Sequence, residues 1–366
     1  MKKVLILNPI MYTPEGGKRK QKSIKDTLLV TVCLGFIELG YQPTLIADEY
    51  YKPLIDETYS FEIIFLKHKY EKVFSPYKIP YPIGLREYLK NHQNEFEFVI
   101  SSEVFSLYSY IAASVCKNKL IIWHEMAIHN RMMHGLVSKF WYKIVAKRQF
   151  KDVLIAPRSN KAQSFIKHYC NNVNNGIFQH PIDVNKFVFT RDKGNYFISI
   201  SQLVERKRVD KIISVFEDFS KDSDYKLIIC GDGDQREFLK KNVLEKRLQD
   251  IVVFKGQVQH RELSTLLQNA AGLLVYTSKD NSILTISESI ACGTPVLTTG
   301  IPDNAHYVSQ SECGIVKDDW NSDDMKTLVE RQDYYVCCCE KAREKLTNTY
   351  LANQFIELSK DLKESN

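Results

Sequence analysis

Asp280 and Glu288 stand eight residues apart in the stretch Asp280-Asn-Ser-Ile-Leu-Thr-Ile-Ser-Glu288-Ser-Ile-Ala-Cys-Gly-Thr-Pro-Val296. An apolar run, Gly272 to Tyr276, precedes the first acid, and Gly293 and Pro295 stop the helical stretch that carries the second. The pattern predicts a strand, a polar loop holding one carboxylate, and a short helix holding the other in its first turns. Free N–H groups and the helix dipole attract an anion at such a helix start. In open α/β sheets, ligands sit at the carboxyl ends of the strands. An acid pair beside an anion site suits a ligand with both hydroxyls and phosphate, such as a nucleotide sugar.

Cations and glycines complete that chemistry. A diphosphate carries negative charge that positioned donors must neutralise. The cluster Glu205-Arg-Lys-Arg208 follows the apolar run Tyr196–Ser201. It supplies Lys207, with Arg206 and Arg208 as further candidates. The amides of Ser282, Ile283, Leu284 and Thr285 are placed to cap a diphosphate at the helix start. Gly16 and Gly17, before Lys18-Arg-Lys20, would let backbone approach phosphate or sugar closely. His124 closes the run Leu120–His124 and precedes Glu125. A strand-end imidazole facing a cleft can donate to a sugar hydroxyl or orient a neighbour. His129 and His134 read as helix-surface residues, and Asp232-Gly-Asp234 reads as a structural strand-to-helix turn.

These groups need strands to hold them. Strand patterns fall at Val4–Asn8, Thr44–Ala47, Phe96–Ser101, Leu120–His124 and Val153–Pro157 in the first half. In the second they fall at Tyr196–Ser201, Lys226–Cys230, Val252–Phe254, Leu273–Tyr276 and Val296–Thr298. Helical patterns alternate with them, which predicts an α/β fold with parallel sheets covered on both faces. The segment Gly176 to Phe187 separates the halves. The expected division is residues 1–185 and 186–350, with 351–366 a C-terminal helix crossing back to the first domain.

The acidic stretch resembles the E-x7-E signature of retaining GT-B glycosyltransferases, above all family 4. Its first acid is Asp280 rather than Glu, and Ala291-Cys-Gly-Thr-Pro-Val296 is close to the family wording. His180-Pro-Ile-Asp-Val-Asn-Lys-Phe187, Cys230-Gly-Asp-Gly-Asp-Gln-Arg-Glu237 and Gly300-Ile-Pro-Asp303 are further similar landmarks. The resemblance implies two Rossmann-like doubly wound domains facing across a cleft, with donor on the second, acceptor on the first, and closure assembling the site. It implies that Glu288 binds the ribose hydroxyls and Asp280 lies near the donor sugar. The family's diphosphate-holding Lys matches Lys207, whereas its Arg position is Gln202, an uncharged donor. Asn281, Ile283 and Thr285 depart from the usual glycines and proline. The resemblance implies front-face attack with retention, a UDP- or GDP-sugar as substrate, and no metal or other cofactor. The acceptor would be a saccharide or lipid-linked saccharide. Two alternatives are a weak or inactive GT-B protein that partners another transferase, and a nucleotide-sugar epimerase.

The composition fits a two-domain globular protein: 366 residues, 44% hydrophobic, 26% charged. A net charge of +6 is a mild excess, and basic residues form no nucleic-acid motif. The nine cysteines lie mostly in apolar runs without a pairing pattern, which predicts a reducing, cytoplasmic setting. Cys337-Cys338-Cys339 point in different directions on a helix and do not form a metal site. The N-terminal apolar run reads as a first buried strand rather than a signal peptide, and Thr27 to Leu39 is too short to span a bilayer. The stretch 134–151, with Lys139, Lys143, Lys147 and Arg148 around Phe140-Trp-Tyr142, offers a peripheral contact with an anionic membrane. Trp141 and Ile144 in it read as core residues.

Overall fold

A computed structural model of the chain describes residues 1–12, 20–128, 135–280 and 282–364. Gly16, Gly17, His129, His134 and Asn281 lie outside the described residues. The chain divides into two compact units: residues 1–181 with 348–366, and residues 182–347.

The first unit holds β1 (Lys2–Leu7), β2 (Tyr41–Asp48), β3 (Glu62–Leu66), β4 (Phe98–Ser102), β5 (Leu120–His124) and β6 (Leu154–Pro157). All pair in parallel, in the order β3-β2-β1-β4-β5-β6. Central strands are buried on both faces, as continuous runs such as Val4-Leu-Ile-Leu7 require. Two apolar clusters cover the sheet, one built around Phe36, Phe98 and Phe355, the other around Tyr108, Tyr142 and Phe150. The final helix, Asn348–Glu364, packs on the helix Leu28–Glu38 within this unit.

The second unit repeats the plan with β7 (Tyr196–Ile200), β8 (Lys226–Cys230), β9 (Val252–Gly256), β10 (Gly272–Val275), β11 (Val296–Thr298) and β12 (Gly314–Val316). Its order is β9-β8-β7-β10-β11-β12, again all parallel. Both units are therefore Rossmann-like. In each, strand order reverses at one point, between β1 and β4 and between β7 and β10. Loops leaving those strands diverge to opposite faces and open a crevice at their carboxyl ends. The edge strands β3 and β12 are absent from the sequence expectation.

Candidate active site

In the second unit the chain leaving β7 crosses over the end of β8. A Cβ on Gly231 would lie 1.8 Å from the Ser201 carbonyl oxygen, and one on Gly233 2.3 Å from that of Leu203. Only glycine permits this crossing. Leu203 N–H donates to the Asp232 carbonyl at 2.9 Å, and Gln235 N–H donates to the Leu203 carbonyl at 2.9 Å. Asp232 itself accepts from Gly233 N–H and from Arg236, both at 2.8 Å, so it holds the turn together. Gln202 is left exposed at the strand end.

The crossing chain then makes a single tight turn, Glu205–Lys207. The Arg206 carbonyl accepts from Ser278 N–H at 2.9 Å and from Thr277 Oγ1 at 3.0 Å, which ties the loop after β7 to the loop after β10. Three donors then converge on one oxygen. Asp280 Oδ2 receives Lys207 Nζ at 2.5 Å, Arg206 Nη1 at 3.0 Å and Thr277 Oγ1 at 3.2 Å. Two cations facing one carboxylate leave a surplus positive charge beside a strand reversal, which is the electrostatics an anion needs. Arg208 does not join them. Its backbone is left-handed at φ 44°, and its side chain turns to Asp210 through contacts of 3.1 and 3.2 Å. Beside the cluster is an open pocket of about 780 Å³, lined by residues including Arg206, Phe238, Ser278 and Lys279.

The helix Leu284–Ala291 begins just after Asp280. Ile283 N–H donates to Asn304 Oδ1 at 3.0 Å, while Asn304 Nδ2 donates to the Ile283 carbonyl at 2.8 Å. This corrects the expectation for Ile283: its amide is already engaged and its side chain sits in the core. The first-turn amides of Leu284 and Thr285 have no intrahelical carbonyl to meet. Ser282 beside them is exposed. The Thr285 hydroxyl is buried without a hydrogen-bond partner among the described residues. Glu288 lies one turn further on, and burial pushes its carboxyl up to about 7. Such a group can both donate to and accept from a hydroxyl near neutral pH. Among the described residues, no group of three or more His, Cys, Asp or Glu is arranged to hold a metal.

In the first unit, His124 is fully buried rather than facing open space. Its ring lies over Phe165 and edge-on to Tyr142, with centroids 6.2 and 6.3 Å away. Glu103 Oε2 approaches Nδ1 to 2.9 Å, at an angle outside hydrogen-bonding geometry. The neighbouring Glu125 takes the exposed position instead, with 53% of its side chain accessible. Its backbone N–H donates to Glu103 Oε1 at 2.8 Å. Arg158 Nη1 meets Glu125 Oε2 at 2.8 Å, and His180 Nε2 lies 3.5 Å from Oε1. Surrounding packing works against ionisation, but His180 and the Arg158 guanidinium outweigh it and hold the Glu125 carboxyl well below its usual range. Arg158 is buried, stacked 3.6 Å over the Trp123 ring, and donates to Ser102 Oγ at 3.2 Å. Nothing in the local sequence marks Arg158 or Glu103, because their partners lie 33 and 22 residues away.

The basic stretch forms one continuous helical segment, Leu136 to Gln149, with a π-helical middle at Trp141–Ala146. Tyr142 and Ala146 are buried, and Trp141 Nε1 donates to the Val104 carbonyl at 2.9 Å. Ile144 is exposed, contrary to the core position expected for it. Leu136, Val137 and Phe140 are exposed with it, at 73%, 51% and 59%. Lys139, Lys143, Lys147 and Arg148 are exposed around them. Among the described residues, no helix is long and apolar enough to cross a membrane.

Residues 182–334, nearly the whole second unit, match the family described as glycosyl transferases group 1. The alpha-monoglucosyldiacylglycerol synthase of Streptococcus pneumoniae is 28% identical over 125 residues, covering 34% of this chain and 28% of that protein. The O-antigen chain mannosyltransferase RfbU of Salmonella typhimurium is 28% identical over 175 residues, covering 46% of this chain and 48% of that protein. The matched stretches thus span less than half the length of these curated relatives. Whole-chain likeness appears among solved structures. A glycosyltransferase from Rickettsia africae superposes with TM-score 0.68 at 13% identity, covering 100% of this chain and 99% of that one. Anabaena Alr3699/HepE in complex with UDP and glucose gives 0.62 at 12% identity, covering 99% and 100%. At such identities the likeness speaks for the fold alone. Residues 182–334 thus resemble the group 1 glycosyltransferases, and the whole chain shares its two-unit Rossmann-like fold with solved glycosyltransferases.

Proposed function

We propose that the protein is a retaining glycosyltransferase that moves a sugar from a UDP- or GDP-sugar to a saccharide or lipid-linked saccharide. The observation that carries this reading is the convergence of Lys207 and Arg206 on Asp280, directly before the helix that bears Glu288. Lys207, Arg206 and the amides of Leu284 and Thr285 take the diphosphate and the charge that grows on it during transfer. Gln202 adds an uncharged donor. Glu288 holds ribose hydroxyls, and Asp280 keeps Lys207 poised while lying near the donor sugar. Retention follows front-face attack, in which the departing phosphate accepts the acceptor's proton. No metal is needed when cations and amides already neutralise the phosphate. The similar proteins include enzymes named for diacylglycerol and O-antigen chains, which supports a role in glycan or glycolipid assembly.

The exposed apolar stripe Leu136, Val137, Phe140 and Ile144, ringed by cations, supports docking on the anionic cytoplasmic face of a membrane. Residues 135–151 contain no acid, so charge and apolar surface favour the same occupant. A lipid-linked acceptor would be presented there.

The test is incubation with UDP- and GDP-sugars, with and without glycoside or glycolipid acceptors, followed by product analysis. Transfer with the anomeric configuration kept supports the reading. An epimer formed without acceptor points to the epimerase alternative. Absence of both turnover and nucleotide binding points to an inactive partner protein.

A further inference from the structure

Glu125, Arg158 and His180 form a charged nest at the carboxyl ends of β5 and β6, wholly inside the first unit and outside the family-matched stretch. The nest is built rather than incidental. Arg158 is buried under its own stack on Trp123, and its two terminal nitrogens are directed to Glu125 and Ser102. Glu103 sits in the left-handed region at φ 67°, a conformation that costs energy for a non-glycine residue. That turn aims its carboxylate at both the Glu125 amide and the His124 ring. The result is one half-exposed carboxylate whose backbone and both oxygens are anchored from behind. Each oxygen meets one partner, Arg158 or His180, while 53% of the side chain stays accessible, so its roughly four lone-pair positions are not all filled.

We infer that Glu125 is a substrate-binding carboxylate that grips hydroxyls of the acceptor saccharide, with Arg158, His180 and Glu103 as its positioning residues. This deepens the glycosyltransferase reading and rests on it. An ionised, rigidly held carboxylate accepts hydrogen bonds from neighbouring sugar hydroxyls without paying ordering entropy on contact. The nest lies outside residues 182–334, the stretch that matches the family. His180 reaches Glu125 from the segment directly before the unit boundary at Pro181.

The experiment is saturation-transfer NMR with methyl glucoside, galactoside, mannoside and N-acetylglucosaminide on the full chain, its Glu125→Gln variant and its Arg158→Lys variant. Calorimetric titration with UDP and GDP runs on the same samples. The wild type is expected to bind at least one glycoside. Glu125→Gln should weaken that binding about tenfold or more, the usual scale for a hydrogen bond to a charged group. Arg158→Lys should weaken it less, because a cation is kept but the two-pronged geometry is lost. Nucleotide affinity should stay within about twofold in both variants. No glycoside binding to the wild type, or equal binding to Glu125→Gln, overturns the inference. A wild type that binds neither UDP nor GDP instead overturns the transferase reading on which it rests. If Glu125→Gln loses nucleotide affinity as well, the nest is structural and the inference also fails.

Discussion

Lys207 Nζ lies 2.5 Å from Asp280 Oδ2, although 73 positions separate the two residues. The contact joins the loops that leave β7 and β10 on either side of the strand reversal. Arg206 shares the same oxygen, so the carboxylate restrains two cations at once.

Removing that restraint has a definite sign. Asp280→Asn frees Lys207 and Arg206 for phosphate, so UDP or GDP affinity should rise severalfold at low salt while sugar transfer falls. Titrations at two ionic strengths check this, because a charge-driven gain shrinks as salt screens it. A lower affinity in the variant would mean that Asp280 itself contacts the nucleotide.

Burial of Glu288 makes stability depend on pH. Its carboxyl titrates near 4.5 when unfolded and at about 7 when folded. Its contribution is fully present below the unfolded value and is lost as pH rises through the folded one. Wild-type stability should therefore fall by about 2 kcal/mol between pH 5 and 8 from this group. Glu288→Gln should remove most of that slope in denaturant melts, while also weakening nucleotide binding. An unchanged slope would show that the carboxyl is not desolvated.

The crossing at β8 tolerates no side chain. Gly233→Ala places a Cβ against the Leu203 carbonyl and should cost about 2 kcal/mol or more, with loss of nucleotide binding. Denaturant unfolding beside calorimetry measures both effects. A stable variant with full affinity would mean that the Gln202–Lys207 segment is not held by this crossing.

Membrane docking is separable from turnover. Phe140→Glu should abolish co-sedimentation with phosphatidylglycerol vesicles, leave transfer to a soluble glycoside unchanged, and leave the melting temperature within about 2 °C, since Phe140 is exposed. Binding that persists, or equal binding of the wild type to phosphatidylcholine vesicles, would contradict the docking surface.

Much of this arrangement is legible in the sequence, and the gaps have physical causes. Long apolar runs mark the central strands because parallel sheets bury both faces. The same burial hides orientation: β5 is buried throughout, so no alternation reveals that His124 points inward and Glu125 outward. The edge strands β12 and β3 are only partly buried, so the two-sided burial that marks central strands does not mark them. Arg206 and Arg208 look equivalent in sequence. The left-handed backbone at Arg208 redirects it to Asp210. Asn304 holds Ile283 from 21 residues away, a contact that local pattern does not encode.

The most direct measurement is calorimetric titration of UDP and GDP into the wild type and Lys207→Ala. At least one nucleotide should bind the wild type, and Lys207→Ala, with its melting temperature unchanged, should bind it at least tenfold more weakly, as expected for a lost charge-assisted contact. Equal affinity in the two proteins, or no binding of either nucleotide to the wild type, would contradict a phosphate site built on Lys207.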